Sequence, residues 1–126
     1  MNEELPIINI AISPADSEIK AGNETADMLV SVITASFNSE AVIADAIHSV
    51  LGQTFSDWEM IIVDDGSTDA TVKVVEKFLG DKRIKLHRHS VNMGTVAARN
   101  RAIELARGSI IAILDSDDLW MPCKLE

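Results

Sequence analysis

The sequence predicts an α/β protein built on a parallel sheet with helices on both faces. Three observations predict it. Short runs of β-branched and aliphatic residues recur along the chain, each too continuous for a strand with one wet face. Between them, apolar residues return every three or four positions, as on one side of a helix. The connections are short, and such alternation implies right-handed crossovers between parallel strands.

The elements follow in order. Residues 1–27 differ from the rest: they carry Pro6, Pro14 and the polar stretch AGNETAD, and read as a leader outside the core with one short strand over 7–12. From Met28 the pattern is regular. MLVSVITA (28–35) is the first buried strand. Ile43, Ala46, Ile47, Val50 and Leu51 then recur at helical spacing, with Gly52 at the helix end. WEMIIVDD (58–65) is the second buried strand. Ser67 or Thr68 is placed to cap the next helix, whose apolar face is Val72, Val75 and Leu79. RIKLHR (83–88) alternates and suits a strand nearer an edge. GTVAARNRAIELARG (94–108) is a helix with Ala98, Ala102, Leu105 and Ala106 on one side and Gly108 as its stop; SIIAILD (109–115) is the last strand. The result is a Rossmann-like β-α-β-α-β-α-β domain over 28–126.

The totals bound the function. A chain of 126 residues can bury a real core. Its longest apolar runs, such as IIAIL, are too short to span a bilayer, and MNEELPIINI lacks the basic-then-apolar order of a signal peptide. The single cysteine, Cys123, forms no internal disulfide, which points to a reducing, cytoplasmic compartment. With 11 basic and 20 acidic residues the net charge is −9, which argues against general nucleic-acid binding. An anionic ligand would need a cation or helix N-termini beside it.

In open parallel sheets, ligands bind off the carboxyl ends of the strands. Three such ends carry notable residues: 35–38, 64–65 and 115–118. Asp64 and Asp65 in VDDGS fit a strand-to-helix turn, yet adjacent carboxylates repel, and one of them could accept the N–H of a bound heterocycle. Asp115, Asp117 and Asp118 fit N-capping of a helix near Pro122. They also fit a D-x-D whose hard oxygens suit Mg²⁺ or Mn²⁺. Arg99, one turn into its helix, could approach a phosphate or form a surface ion pair. Phe37 directly follows the first strand and is the better stacking candidate; Trp58 and Trp120 suit packing. His48, His87 and His89 have no ligand spacing with a cysteine and read as structural or solvent-facing. No G-x-G-x-x-G follows the first strand, and no P-loop is present. A receiver domain would want its acidic pair after the first strand, and a haloacid-dehalogenase-like phosphatase would want D-x-D-x-[TV] early.

Together, VSVITASFN (30–38), SVLGQTFSDWEMIIVDDGSTDAT (49–71), RIKLHRHSVNMGTVAARNRAIELARG (83–108) and IAILDSDDLWMPCKLE (111–126) resemble family 2 glycosyltransferases, inverting nucleotide-sugar enzymes of GT-A fold. The resemblance implies that the Ala35–Phe37 segment lies against the base, with Phe37 stacking and Asn38 beside it. It implies that Asp65, with Asp64 next to it, recognises the base, typically uracil. Asp115 would lie near the ribose, Asp117 on a divalent cation (Mn²⁺ or Mg²⁺) and Arg99 near the diphosphate. Ala35 stands where many members have proline. In this family the D-x-D falls roughly midway through the catalytic domain, so the resemblance implies a nucleotide-binding half with no general base among its residues. It implies a UDP-sugar as donor and, for the full-length enzyme, a glycan or lipid-linked acceptor in polysaccharide assembly at the inner face of the membrane. Two other readings remain: a receiver-like regulatory module that binds metal, and a truncated product that self-associates through an uncovered sheet edge.

Overall fold

The computed structural model describes residues 7–8, 29–122 and 124–125 of the chain. Within them the elements run β1 (Ile7–Ile8), β2 (Val30–Ser36), α1 (Ile43–Leu51), β3 (Trp58–Asp65), α2 (Thr71–Glu76), β4 (Ile84–His89), α3 (Thr95–Leu105) and β5 (Ile110–Ile113). All strand pairs are parallel, in the order β1-β5-β2-β3-β4. β2 is central. It pairs with β3 from Val30↔Trp58 to Ser36↔Asp64 and with β5 from Val30↔Ile110 to Ile33↔Ile113.

The two-residue side-chain period divides the core into two layers. Val30, Val32, Trp58, Met60 and Ile62 pack with Ile43, Ala46, Ile47 and Val50 of α1 and Val75 of α2. Ile33, Ile61, Val63 and Ile111 pack on the other face with Ala98 and Ala102 of α3. Because both faces are covered, every residue of β3 is buried, which explains the apolar run over 60–63. Each fully buried Ile or Val side chain stabilises the fold by about 1.5–3 kcal/mol. β4 lies at the sheet edge and is only partly buried, in keeping with its alternating sequence.

A buried carboxylate ties the far end of the sheet together. Glu59 accepts hydrogen bonds from the Ser31 hydroxyl (2.6 Å), Lys85 Nζ (3.0 Å) and the Arg107 N–H (2.7 Å). Burial by itself would raise the Glu59 carboxyl; Ser31, the Arg107 N–H and Lys85 outweigh it and hold the group below its ordinary value. This junction fixes where α3 hands over to β5.

Several local expectations need correction. α2 begins at Thr71, and neither Ser67 nor Thr68 caps it. Instead Asp69 Oδ1 accepts the Thr71 N–H (2.9 Å), and Glu40 Oε1 accepts the Ala70 N–H (2.7 Å). Leu79 lies beyond the end of α2 and is exposed, whereas Val72 and Val75 are buried. α3 ends at Leu105 and Ala106 is already extended, so Gly108 does not stop the helix. A Cβ at Gly108 would lie 2.5 Å from the Leu29 carbonyl oxygen and 2.6 Å from Ser31 Oγ, so close backbone approach is what requires glycine there. Of the leader, Ile7–Ile8 joins the sheet beside β5, while residues 9–12 lie outside the described residues. Among the described residues no helix is long and apolar enough to cross a membrane.

Candidate functional site

β3 and β4 extend the sheet to one side of β2, while the crossover through α3 returns β5 to the other. The chain therefore diverges between the carboxyl ends of β2 and β5, the switch point at which open α/β sheets bind ligands. A cavity of about 550 Å³ lies there. Ala35, Phe37 and Asn38 line it from β2, Thr95 and Arg99 from α3, and Asp115, Ser116 and Asp117 from β5. A second cavity of about 660 Å³ shares Arg99 and Asp115 and is walled by Asp118, Leu119, Trp120 and Lys124. The pair Arg99 Nη2–Asp115 Oδ1 (2.9 Å) borders both. The ion-pair expectation for Arg99 is met, and the same side chain lines the crevice.

The acidic loop is held by its neighbours. The Leu114 N–H still donates to the Ile33 carbonyl (3.0 Å), after which the chain turns with the Asp118 N–H on the Asp115 carbonyl (3.0 Å). Ser116 Oγ lies 2.9 Å from Ser39 Oγ, and the Ser39 N–H donates to Thr71 Oγ1 (2.7 Å). Asp115, Asp117 and Asp118 are exposed, and each can bring one ligand oxygen within 4.8 Å of the others. Three hard oxygens converging on a space open to solvent fit Mg²⁺ or Mn²⁺, which keep several waters. Asp118 joins Asp117 in this set. Residues 119–122 and 124–125 carry no helix.

Asp64 and Asp65 diverge although they are adjacent. Asp64 is fully buried on the α1/α2 side, and its oxygens accept the Ser67 N–H and hydroxyl, as the turn reading requires. Asp65 points to the α3 side and is 3% exposed. Its Oδ1 accepts from His89 Nδ1 (2.9 Å) and the Met93 N–H (2.8 Å), and its Oδ2 accepts the Gly94 N–H (2.8 Å). Burial raises this carboxyl, but His89 and the two backbone donors together hold it below its ordinary value. Asp65 also lines a notch of about 30 Å³ with Ala35, Ser36, Phe37 and Thr95.

Phe37 is 46% exposed at the crevice. Asn38 has φ 49° and turns its amide oxygen to the Thr68 N–H (2.8 Å), so it clips the β2 and β3 loops together while lining the cavity. Asparagine tolerates that backbone region, which is the local signal for its place here. Trp58 is buried beneath the Arg83 guanidinium, 3.8 Å from its ring, and Trp120 packs on the core. His48 meets Phe78 edge-on, and His87 accepts from Arg101 Nε (3.4 Å). Ser39, Thr95 and Ser116 were not singled out from sequence. No spacing rule marks a hydroxyl that meets its partner 77 residues away.

A parallel sheet with an aromatic ring, an arginine and a carboxylate cluster at its switch point defines an α/β domain built to take a ligand at its strand ends. Residues 31–126 match the family described as glycosyl transferase family 2, and the chain belongs to that family. It is 48% identical over 101 residues to the Escherichia coli UDP-Glc:alpha-D-GlcNAc-diphosphoundecaprenol beta-1,3-glucosyltransferase WfgD, covering 79% of this chain and 39% of that protein. Staphylococcus aureus TarS 1-349 in complex with UDP-GlcNAc has a similar structure, with TM-score 0.67 and 35% identity over 73% of this chain and 27% of that one. The mannosyltransferase PcManGT from Pyrobaculum calidifontis, in complex with GDP-Man and Mn²⁺, aligns with TM-score 0.68 and 28% identity over 72% of this chain and 28% of that one. The fold is therefore GT-A. The chain spans about two-fifths of the length of the curated relative it matches.

Proposed function

We propose that these residues form the donor-binding part of an inverting glycosyltransferase that uses a UDP-sugar. The observation that carries this is the switch-point crevice, where residues 35–38 and 115–117 share one cavity with Arg99. Phe37 offers an exposed face for the base. Asp65 accepts a base N–H at the notch, Asp115 takes a ribose hydroxyl, and Arg99 turns from Asp115 to the diphosphate. The N-terminal turn of α3 adds its positive dipole end to an otherwise acidic chain. Asp117, with Asp118, holds the divalent cation. When bound, that ion stabilises the negative charge that grows on the departing nucleoside diphosphate. The base that activates the acceptor is assigned to none of these residues. Similarity to WfgD, named for glucosyl transfer to a diphosphoundecaprenol-linked GlcNAc, supports a lipid-linked acceptor. On this reading the whole protein works in polysaccharide assembly at the cytoplasmic face of the membrane.

Calorimetric titration of UDP, GDP and dTDP, with and without Mn²⁺, tests this. UDP binding that needs Mn²⁺ and disappears in Asp117→Ala supports the reading. Indifference to every nucleotide, with binding of Mg²⁺ and an acyl-phosphate mimic, would replace it with the receiver-like module.

A further inference from the structure

We propose that His89 is a positioning residue for nucleobase selection, acting through Asp65. The inference rests on the donor reading above and assigns a role to a residue outside the crevice. His89 is the last residue of β4 and the register partner of Asp65, the last residue of β3. Residues 85, 87 and 89 share the α3 face of the sheet with Asp65, so the imidazole and the carboxylate meet side by side. The ring is 11% exposed and its Nδ1 lies 2.9 Å from Asp65 Oδ1. An ionised carboxylate only accepts, so Nδ1 carries the proton and donates.

The count of lone pairs makes this contact selective. Two carboxylate oxygens offer about four acceptor sites. Oδ1 has two donors, His89 and the Met93 N–H, whereas Oδ2 has one, the Gly94 N–H. Oδ2 therefore has the fewer donors, and Asp65 lines the notch together with Ala35, Ser36, Phe37 and Thr95. At about 30 Å³ that notch takes one small group, such as the N–H edge of a base. The loop that supplies the two backbone donors is pinned by shape as well. A Cβ on Gly66 would lie 2.6 Å from the Asn92 nitrogen, and Gly94 has φ +102°. The Met93 and Gly94 N–H groups hold one oxygen each, and His89 adds the side-chain donor that completes the set on Oδ1. Its loss loosens the carboxylate and lets water compete at Oδ1, so the acceptor is held less firmly toward the notch. An acceptor aimed at the notch favours uracil, which presents N3–H, over cytosine, whose N3 is itself an acceptor.

The test compares UDP with CDP, each titrated with Mn²⁺ into the wild-type chain, His89→Ala, His89→Phe and His89→Asn. Phenylalanine keeps the ring volume without the donor, and serves if the alanine variant does not fold; asparagine restores a donor near Nδ1. Wild type should prefer UDP, His89→Ala and His89→Phe should narrow the UDP:CDP ratio by about tenfold, and His89→Asn should keep it within about twofold. Mn²⁺ affinity without nucleotide should not move. A purely structural role would weaken UDP and CDP equally, and that result overturns the proposal. Equal binding of UDP and CDP by wild type overturns it too while leaving the donor reading intact. Binding of neither nucleotide by wild type removes the donor reading, and this proposal with it.

Discussion

Asp64 and Asp65 end β3 with their side chains buried, whereas Asp115, Asp117 and Asp118 follow β5 in the open. Both sets lie at the carboxyl edge of one sheet, and sequence alone offers the same two readings for each: local turn or ligand. The structure separates them. The buried pair accepts from Ser67, His89, Met93 and Gly94, so most of its lone pairs hold the fold together. In the open set Asp115 has Arg99, and the cluster otherwise faces solvent. Burial forces a carboxylate to find donors within the protein. Exposure leaves its oxygens available to a cation.

The comparison can be broken most directly at its buried member. Asp65→Ala strands His89 and two backbone donors, and should lower unfolding free energy by about 3–5 kcal/mol, measured by urea denaturation. A loss similar to that of an exposed aspartate would mean that the β4–α3 loop does not depend on Asp65.

A smaller effect should appear on acidification. The Asp65 carboxyl is held below its ordinary value in the fold, so its contribution to stability is complete above the unfolded pKa of about 3.9 and is lost as pH falls through the lower folded value. Thermal unfolding of the wild type between pH 7 and pH 3 should therefore fall at the acid end. Asp65→Asn, uncharged throughout, should fall less steeply although it starts lower. Parallel profiles would remove Asp65 from the acid transition and leave Glu59, Asp69 and Asp81, which are depressed in the same direction, to account for it.

The smallest change in stability is expected at the open set. Asp117→Ala should alter unfolding free energy by no more than about 0.5 kcal/mol, while Mn²⁺ affinity, followed by electron paramagnetic resonance, drops at least about tenfold. A stability loss comparable to that of Asp65→Ala would mean that the loop is held by its carboxylates rather than by Ser116 and Ser39.

Much of the fold was legible because the signals were local. β3 reads as a doubly covered strand because all its residues are buried, and α1 because Ile43, Ala46, Ile47 and Val50 share one face. The failures were local in sequence but not in cause. The start of α2 depends on Glu40, a residue from another loop, and Gly108 is required by the backbone of β2, far earlier in the chain. The crevice was half legible. The strand-end rule selected Phe37, Asp115 and Asp117, and the helix start selected Arg99, yet neither marks the hydroxyl contact of Ser39 with Ser116.

By itself the sequence determined the succession of strands and helices, the faces they bury and the placing of acidic residues at strand ends, since each follows from periodicity within a few residues. Only the tertiary structure decided that β5 lies beside β2 rather than beyond β4, which brings residues 35–38 against residues 115–117. It alone also decided that Asp65 meets donors from β4 and the loop after it while Asp64 is taken up by its turn. The donors that settle Asp65 come from 24 to 29 residues away, and no local pattern records which oxygen they will meet once the crossovers have packed.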